Sequence, residues 1–205
     1  EDYAVYAASP FPESNRLLMV ATDVSSRYSR RNEAEYRKVA DYIRAVTEAK
    51  KGNYMIFFPS YQYMDAVEKI FEEAPLKADL IIQGQGMGEI EKKEFLEEFE
   101  LKREHSLAAF CVMGGSFSEG VDLKEERLIG VIVVGTGLPM VCTEQEILRE
   151  YFDETEERGF DFSYQYPGMN KVLQAAGRVI RTPADKGVIL LLDDRFLKRD
   201  HLELF

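Results

Sequence analysis

Histidine and cysteine are scarce, with two of each in 205 residues. His105 and His201 are isolated, with no second ligand in view, and Cys111 and Cys142 form no metal-site spacing. No metal centre is therefore expected in the chain. Cys111 stands in an apolar run, which favours a reduced thiol and a cytoplasmic protein. No apolar run approaches the roughly 20 residues of a membrane span. The chain opens Glu1-Asp2-Tyr3, neither basic nor apolar, so no signal peptide is expected. It also lacks an initiator methionine and reads as a piece excised from a longer protein. Positive charge is in deficit: 26 Lys and Arg against 37 Asp and Glu give a net charge of −11. That balance argues against binding nucleic acid through bulk charge. Any such contact has to be local, through backbone amides and a few side chains. No G-x-x-x-x-G-K-[ST] stretch occurs, so the chain has no phosphate loop of its own. The nearest dinucleotide-like stretch, Gly84-Gln85-Gly86-Met87-Gly88, has the wrong spacing and reads as a plain glycine turn.

What is present is a core-forming composition, 45% hydrophobic and 31% charged, in a chain long enough for one large domain. Strand and helix patterns alternate, which predicts an α/β fold with a mostly parallel sheet and helices on both faces. Strands are predicted over 16–22, 54–58, 79–82, 106–113, 128–134 and 188–192. Helices are predicted over 32–51, from 60 to about 73, from 89 to about 103, over 143–157 with Thr143 and Glu146 as a capping box, and over 169–181. Phe160 to Gly168 reads as an aromatic loop, its rings forming either core or a stacking surface.

Three junctions stand out as places where such a sheet binds ligands. At Phe57-Phe58-Pro59-Ser60-Tyr61 a strand delivers a hydroxyl and a ring to a helix start, either as an N-cap or as a phosphate contact. Gly114-Gly115-Ser116-Phe117-Ser118-Glu119-Gly120-Val121-Asp122-Leu123 frees its backbone for close approach and adds two carboxylates; it is either a ligand loop or an ordinary turn. Gln174-Ala175-Ala176-Gly177-Arg178-Val179-Ile180-Arg181 is predicted to carry a glutamine and two arginines on one helical face, with Gly177 allowing another surface near. Such guanidinium groups suit phosphate oxygens or salt bridges. The helix is predicted to stop before Pro183.

Taken in order, the FFPSY, GGSFSEGVDL and QAAGRVIRTPADKGVILLLDDRF blocks, with the lead-in SPFPESNRLLMVATDVSSRYSRR, resemble motifs IV, V and VI of the XPD/DinG branch of superfamily 2 helicases. The resemblance covers nearly the whole chain and implies a RecA-like second motor domain over 1–205, with 1–31 as a lead-in segment packing on it. It implies that Arg178 and Arg181 contact the ATP γ-phosphate, with Gln174 beside them. It implies that Glu119, Gly120 and Asp122 link nucleotide state to the grip on DNA, and that Ser60, Tyr61, Ser116 and Phe117 lie along single-stranded DNA. The phosphate loop and the DEAH-like box that holds Mg²⁺ would belong to a first motor domain of the same chain, as would any iron–sulfur cluster. This chain alone would be an inactive monomer. The alternatives are an interaction module that kept the fold and a motor directed to RNA.

Overall fold

The computed structural model describes residues 11–117, 123 and 127–202. Among the described residues six strands form one parallel sheet: β1 (Arg16–Ala21), β2 (Asn53–Phe58), β3 (Ala78–Ile82), β4 (Ser106–Val112), β5 (Gly130–Val134) and β6 (Gly187–Leu192). Their spatial order is β1-β6-β5-β2-β4-β3. The lead-in thus supplies an edge strand, with Arg16 to Ala21 paired to Gly187 to Leu192. Every strand runs the same way, so all carboxyl ends share one edge of the sheet and all amino ends the other.

The strands read as continuous apolar runs because both faces are covered. Alternate residues divide between two cores. Tyr54, Ile56, Phe58, Phe110, Ile132 and Leu190 face α1 (Glu33–Ala49) and α2 (Tyr61–Glu73). Met55, Phe57, Leu107, Cys111, Val133 and Leu191 face α3 (Glu89–Glu97) and α5 (Tyr166–Ala176). Burial pushes the Cys111 thiol far above its ordinary range, so it stays protonated and serves as packing.

Asn32 caps α1 by accepting the Glu35 N–H, and Ser60 caps α2 by accepting the Tyr63 N–H. Three local expectations fail. Helix α3 stops at Glu97 rather than near Arg103, because Phe99 turns into the core and Arg103 folds back onto Asp79 and Glu98. Helix α4 (Thr143–Glu156) has Cys142 as its N-cap, and no side chain caps it. Glu146 is drawn instead to the Tyr164 hydroxyl and to Arg149. The aromatic stretch is helical: Asp161–Gln165 forms a π-helical turn running directly into α5. Tyr166 N–H bonds the carbonyl of Asp161, five residues back, and Pro167, which has no N–H to give, follows at once. The wide turn thus accommodates the proline. Its rings pack on one another, Phe162 on Phe152 at 4.9 Å and Phe160 on Tyr164 at 5.5 Å between centroids. Among the described residues no helix is long and apolar enough to cross a membrane.

Candidate functional site

At the carboxyl edge, β2 ends and Ser60 opens α2. Its hydroxyl accepts the Tyr63 N–H at 3.2 Å, which leaves the O–H free to donate outward. The next residue, Tyr61, is tied to the neighbouring loop by Gln83. The Gln83 amide donates to the Tyr61 hydroxyl at 3.0 Å, and its carbonyl accepts the Val112 N–H at 2.9 Å. Gln83 is buried, so one side chain fixes the spacing between the end of β4 and the start of α2. Gly114 has φ +72°, and a Cβ at Gly115 would lie 3.0 Å from both Gln83 Nε2 and the Val112 carbonyl oxygen. This turn therefore needs its glycines, and it leaves Ser116 exposed at the edge. Phe117 points inward. Its ring is 1% exposed and stacks on Phe95 at 4.3 Å, so it anchors the loop and offers no face to a base.

Glu119, Gly120 and Asp122 lie outside the described residues. Leu123 and Leu128 are both buried in the core that α5 covers.

The arginine segment differs from its helical expectation. Helix α5 ends at Ala176. The Gly177 N–H still reaches the Leu173 carbonyl, but Arg178 and Val179 N–H groups bond three residues back, to Ala175 and Ala176. Gln174 is thus on the exposed helix, Arg178 in the turn after it and Arg181 in the loop beyond. Two contacts end the helix early. Val179 is buried against Gly187, and Asp185 accepts the N–H groups of Arg181 and Thr182 at 2.8 and 2.6 Å. Arg178 is buried and Arg181 half-buried. Both stand just before β6, at the amino edge, whereas Ser60, Tyr61 and Ser116 stand at the carboxyl edge.

The family model for the helicase C-terminal domain matches residues 43–205. The chain belongs to that family. This helicase domain is 29% identical over 203 residues to a probable ATP-dependent helicase of Methanocaldococcus jannaschii, covering 92% of the chain and 30% of the relative. It is 31% identical over 170 residues to the ATP-dependent DNA helicase YoaA of Haemophilus influenzae, covering 82% and 25%. A solved XPD helicase structure superposes with a TM-score of 0.76 at 22% identity, over 92% of this chain and 33% of that one. The domain is thus of the XPD/DinG kind with a RecA-like fold, and it spans about a third or less of these relatives' length.

The helicase domain also contains a buried ionic cluster that the sequence reading did not single out. Asp193, at the end of β6, accepts the Ser26 N–H at 2.9 Å, the Ser26 hydroxyl at 2.7 Å and Arg195 Nε at 2.7 Å. Burial alone would raise the carboxyl pKa; the Arg195 bond and charge and the two Ser26 bonds outweigh it and hold the group down to about 2. The cluster ties the loop after β1 to β6. In that loop the Arg31 guanidinium lies 5.6 Å from the Tyr28 ring and 5.5 Å from the Tyr63 ring. Asp193→Asn leaves Arg195 without its counter-charge and is expected to cost about 3 kcal/mol in chemical unfolding at pH 7. Because the folded pKa lies below the ordinary 3.8, the contribution is complete above about pH 4 and is lost as pH falls towards 2. The gap between wild type and variant should therefore close in that window; a gap constant down to pH 2 would contradict the assignment.

The Ile82–Gly88 stretch is a turn, with Gly86 at φ +74°. His105 is exposed and His201 buried. Cys111 and Cys142 are free thiols, and no cluster of three or more His, Cys, Asp or Glu that could hold a metal ion occurs among the described residues.

Proposed function

We propose that this chain is the second motor domain of an ATP-dependent DNA helicase, working with a first motor domain of the same longer polypeptide. The observation that carries the reading is the separation of two chemistries across one sheet. Arginines lie at the amino edge; hydroxyls and a glycine turn lie at the carboxyl edge. Helix α5 joins the edges: its Gly168 rests on the loop after β5, and Val179, just past its end, packs on Gly187 at the start of β6. A motor needs such a link, since occupancy of the nucleotide site must alter the grip on the strand.

In this reading ATP binds between the two motor domains. Arg178 and Arg181 approach the γ-phosphate oxygens and stabilise the charge that develops during transfer. Burial of Arg178 in a tight turn holds its fork in place before ATP arrives. Gln174, on α5 nearly one turn before the C-cap Gly177, faces the same cleft, and Gly177 lets the opposing domain approach. Mg²⁺ would neutralise the β- and γ-phosphate oxygens; its ligands belong to the first motor domain. Ser60, Tyr61 and Ser116 line the strand track, using hydroxyls and amides rather than net charge. Phe117 serves that track from behind, by holding the loop. Glu119, Gly120 and Asp122, between β4 and β5 in sequence, carry nucleotide state to the grip in this reading.

The chain by itself is expected to show no steady ATP turnover, because it has no phosphate loop to hold the β-phosphate. Phosphate release by the purified chain, abolished by Arg178→Ala, would overturn the two-domain reading. In the longer protein, ATP hydrolysis stimulated by single-stranded RNA and not by DNA would assign the motor to RNA.

A further inference from the structure

The amino edge of the sheet contains a second feature beside the arginine turn, joined to it through Asp185. A cleft of about 1060 Å³ opens below β2, β4, β5 and β6. Its described lining includes six cations, Lys50, Lys51, Lys102, Arg103, Arg127 and Lys186, against the carboxylates Glu100 and Asp185. In a chain of net charge −11 this is a local reversal of sign. Arg103 is committed to Asp79 and Glu98, and Arg127 to Glu100 at 3.0 Å. Asp185 is committed to the backbone of Arg181 and Thr182. The four lysines are exposed, and among the described residues none of their ammonium groups has an ion-pair partner.

Two of the lysines, Lys50 and Lys51, directly follow α1, and they are not needed to finish it. At the end of α1 the Lys50 carbonyl accepts the Tyr54 hydroxyl at 2.6 Å, and the Thr47 carbonyl accepts the Ser106 hydroxyl at 2.7 Å. Helix-end carbonyls that already have donors do not call for cationic capping. Four like charges around one cleft repel one another, and an anion relieves that repulsion.

We infer that this cleft binds the phosphate backbone of a nucleic-acid strand, at a site separate from the carboxyl-edge track. Its open shape, at about 1060 Å³, leaves room for a run of strand to pass through. Lysine ammoniums are mobile point charges without the rigid fork of arginine, and they suit sequence-independent phosphate contact. Leu101, 54% exposed on the cleft wall, offers an apolar ledge for a sugar or base. The site needs neither ATP nor the arginine turn, so it stands even if the motor reading fails.

The test uses a fluorescein-labelled 20-nucleotide oligo-dT and fluorescence anisotropy on this chain without nucleotide. Binding is expected at about 10⁻⁵ M in low salt and should weaken as salt rises, as for a few phosphate contacts. The double variant Lys51→Glu, Lys102→Glu should bind at least about 10-fold more weakly, with a shallower salt slope. Lys69→Glu with Lys93→Glu makes the same change in net charge on α2 and α3, away from the cleft, and should bind within about 2-fold of wild type. No binding at low salt overturns the inference, as does equal weakening by both double variants, which would mean bulk charge alone. Two competitors separate the remaining sources of anion. Displacement of the oligonucleotide by equimolar ATP would make the cleft a nucleotide pocket. Displacement by equimolar poly-glutamate, sensitive to the same lysines, would make it a site for acidic peptide. Either result overturns the strand assignment; failure of both to compete supports it.

Discussion

Arg178→Ala and Arg181→Ala are each expected to lower kcat for DNA-stimulated ATP hydrolysis in the full-length protein by roughly 10³-fold, the usual worth of a guanidinium on a transferring phosphoryl group. Affinity for ATP should fall far less, because the contact is strongest when charge develops in the transition state. The two residues differ in one respect that sharpens the measurement. Arg178 is buried in the turn after α5, whereas Arg181 is half-buried beside the amides held by Asp185. Arg178→Ala should therefore also lower the melting temperature, and Arg181→Ala should lower it much less. Arg181→Lys keeps the charge and loses the planar fork, and should recover part of the rate and not all of it. Single-turnover hydrolysis on folded protein decides the matter. If both alanine variants hydrolyse ATP at the normal rate, the arginines hold the turn together and do nothing to phosphate.

The sheet was legible in the sequence because strands buried on both faces are apolar throughout, as Tyr54 to Phe58 and Val188 to Leu192 are. A cap was legible where a short polar side chain precedes an amphipathic run, as at Ser60. Legibility failed where tertiary contacts overrode local pattern. The Gln174–Arg181 stretch has helical spacing, but the burial of Val179 against Gly187, distant in sequence, draws the chain out of the helix after Ala176. Pro167 and Gly168 imitate a loop, and the wide π turn absorbs them into a helix. Phe117 looks like a strand-facing ring when read within its glycine-rich block; its partner Phe95 comes from a separate helix and takes it into the core. Gln83 was passed over because nothing in a lone buried glutamine announces that it will bridge Tyr61 and Val112. The basic cleft was invisible for a related reason. Its lysines come from positions 50, 51, 102 and 186, each beside acidic sequence, and only the parallel sheet gathers their strand starts at one edge.

Gly168→Ala is expected to be strongly disruptive for so small a substitution. A Cβ there would lie 2.7 Å from the Thr136 carbonyl oxygen and 3.1 Å from the Leu138 N–H nitrogen. A Cβ at Gly137, itself at φ +65°, would lie 2.6 Å from the Gly168 carbonyl oxygen. The first turn of α5 thus rests directly on the loop after β5, backbone to backbone. Nothing at that contact can rotate aside, so one methyl group must lift the helix or displace the loop. Overpacking of this kind costs about 3 kcal/mol, which in a domain of this size corresponds to a fall in melting temperature of about 6–12 °C. Gly86→Ala is the control: its φ of +74° is strained for alanine, but no atom lies within 4 Å of the added carbon. It should cost about 1 kcal/mol. The functional consequence follows from what α5 carries. Gln174 sits on it and Arg178 in the turn that ends it, so lifting its amino end shifts both against the nucleotide cleft. At a temperature where Gly168→Ala is still folded, kcat should therefore fall while Gly86→Ala keeps the wild-type rate. A Gly168→Ala protein melting within about 2 °C of wild type would show that helix and loop are not in contact, and with that the rigid path from the carboxyl edge to the arginines would be lost.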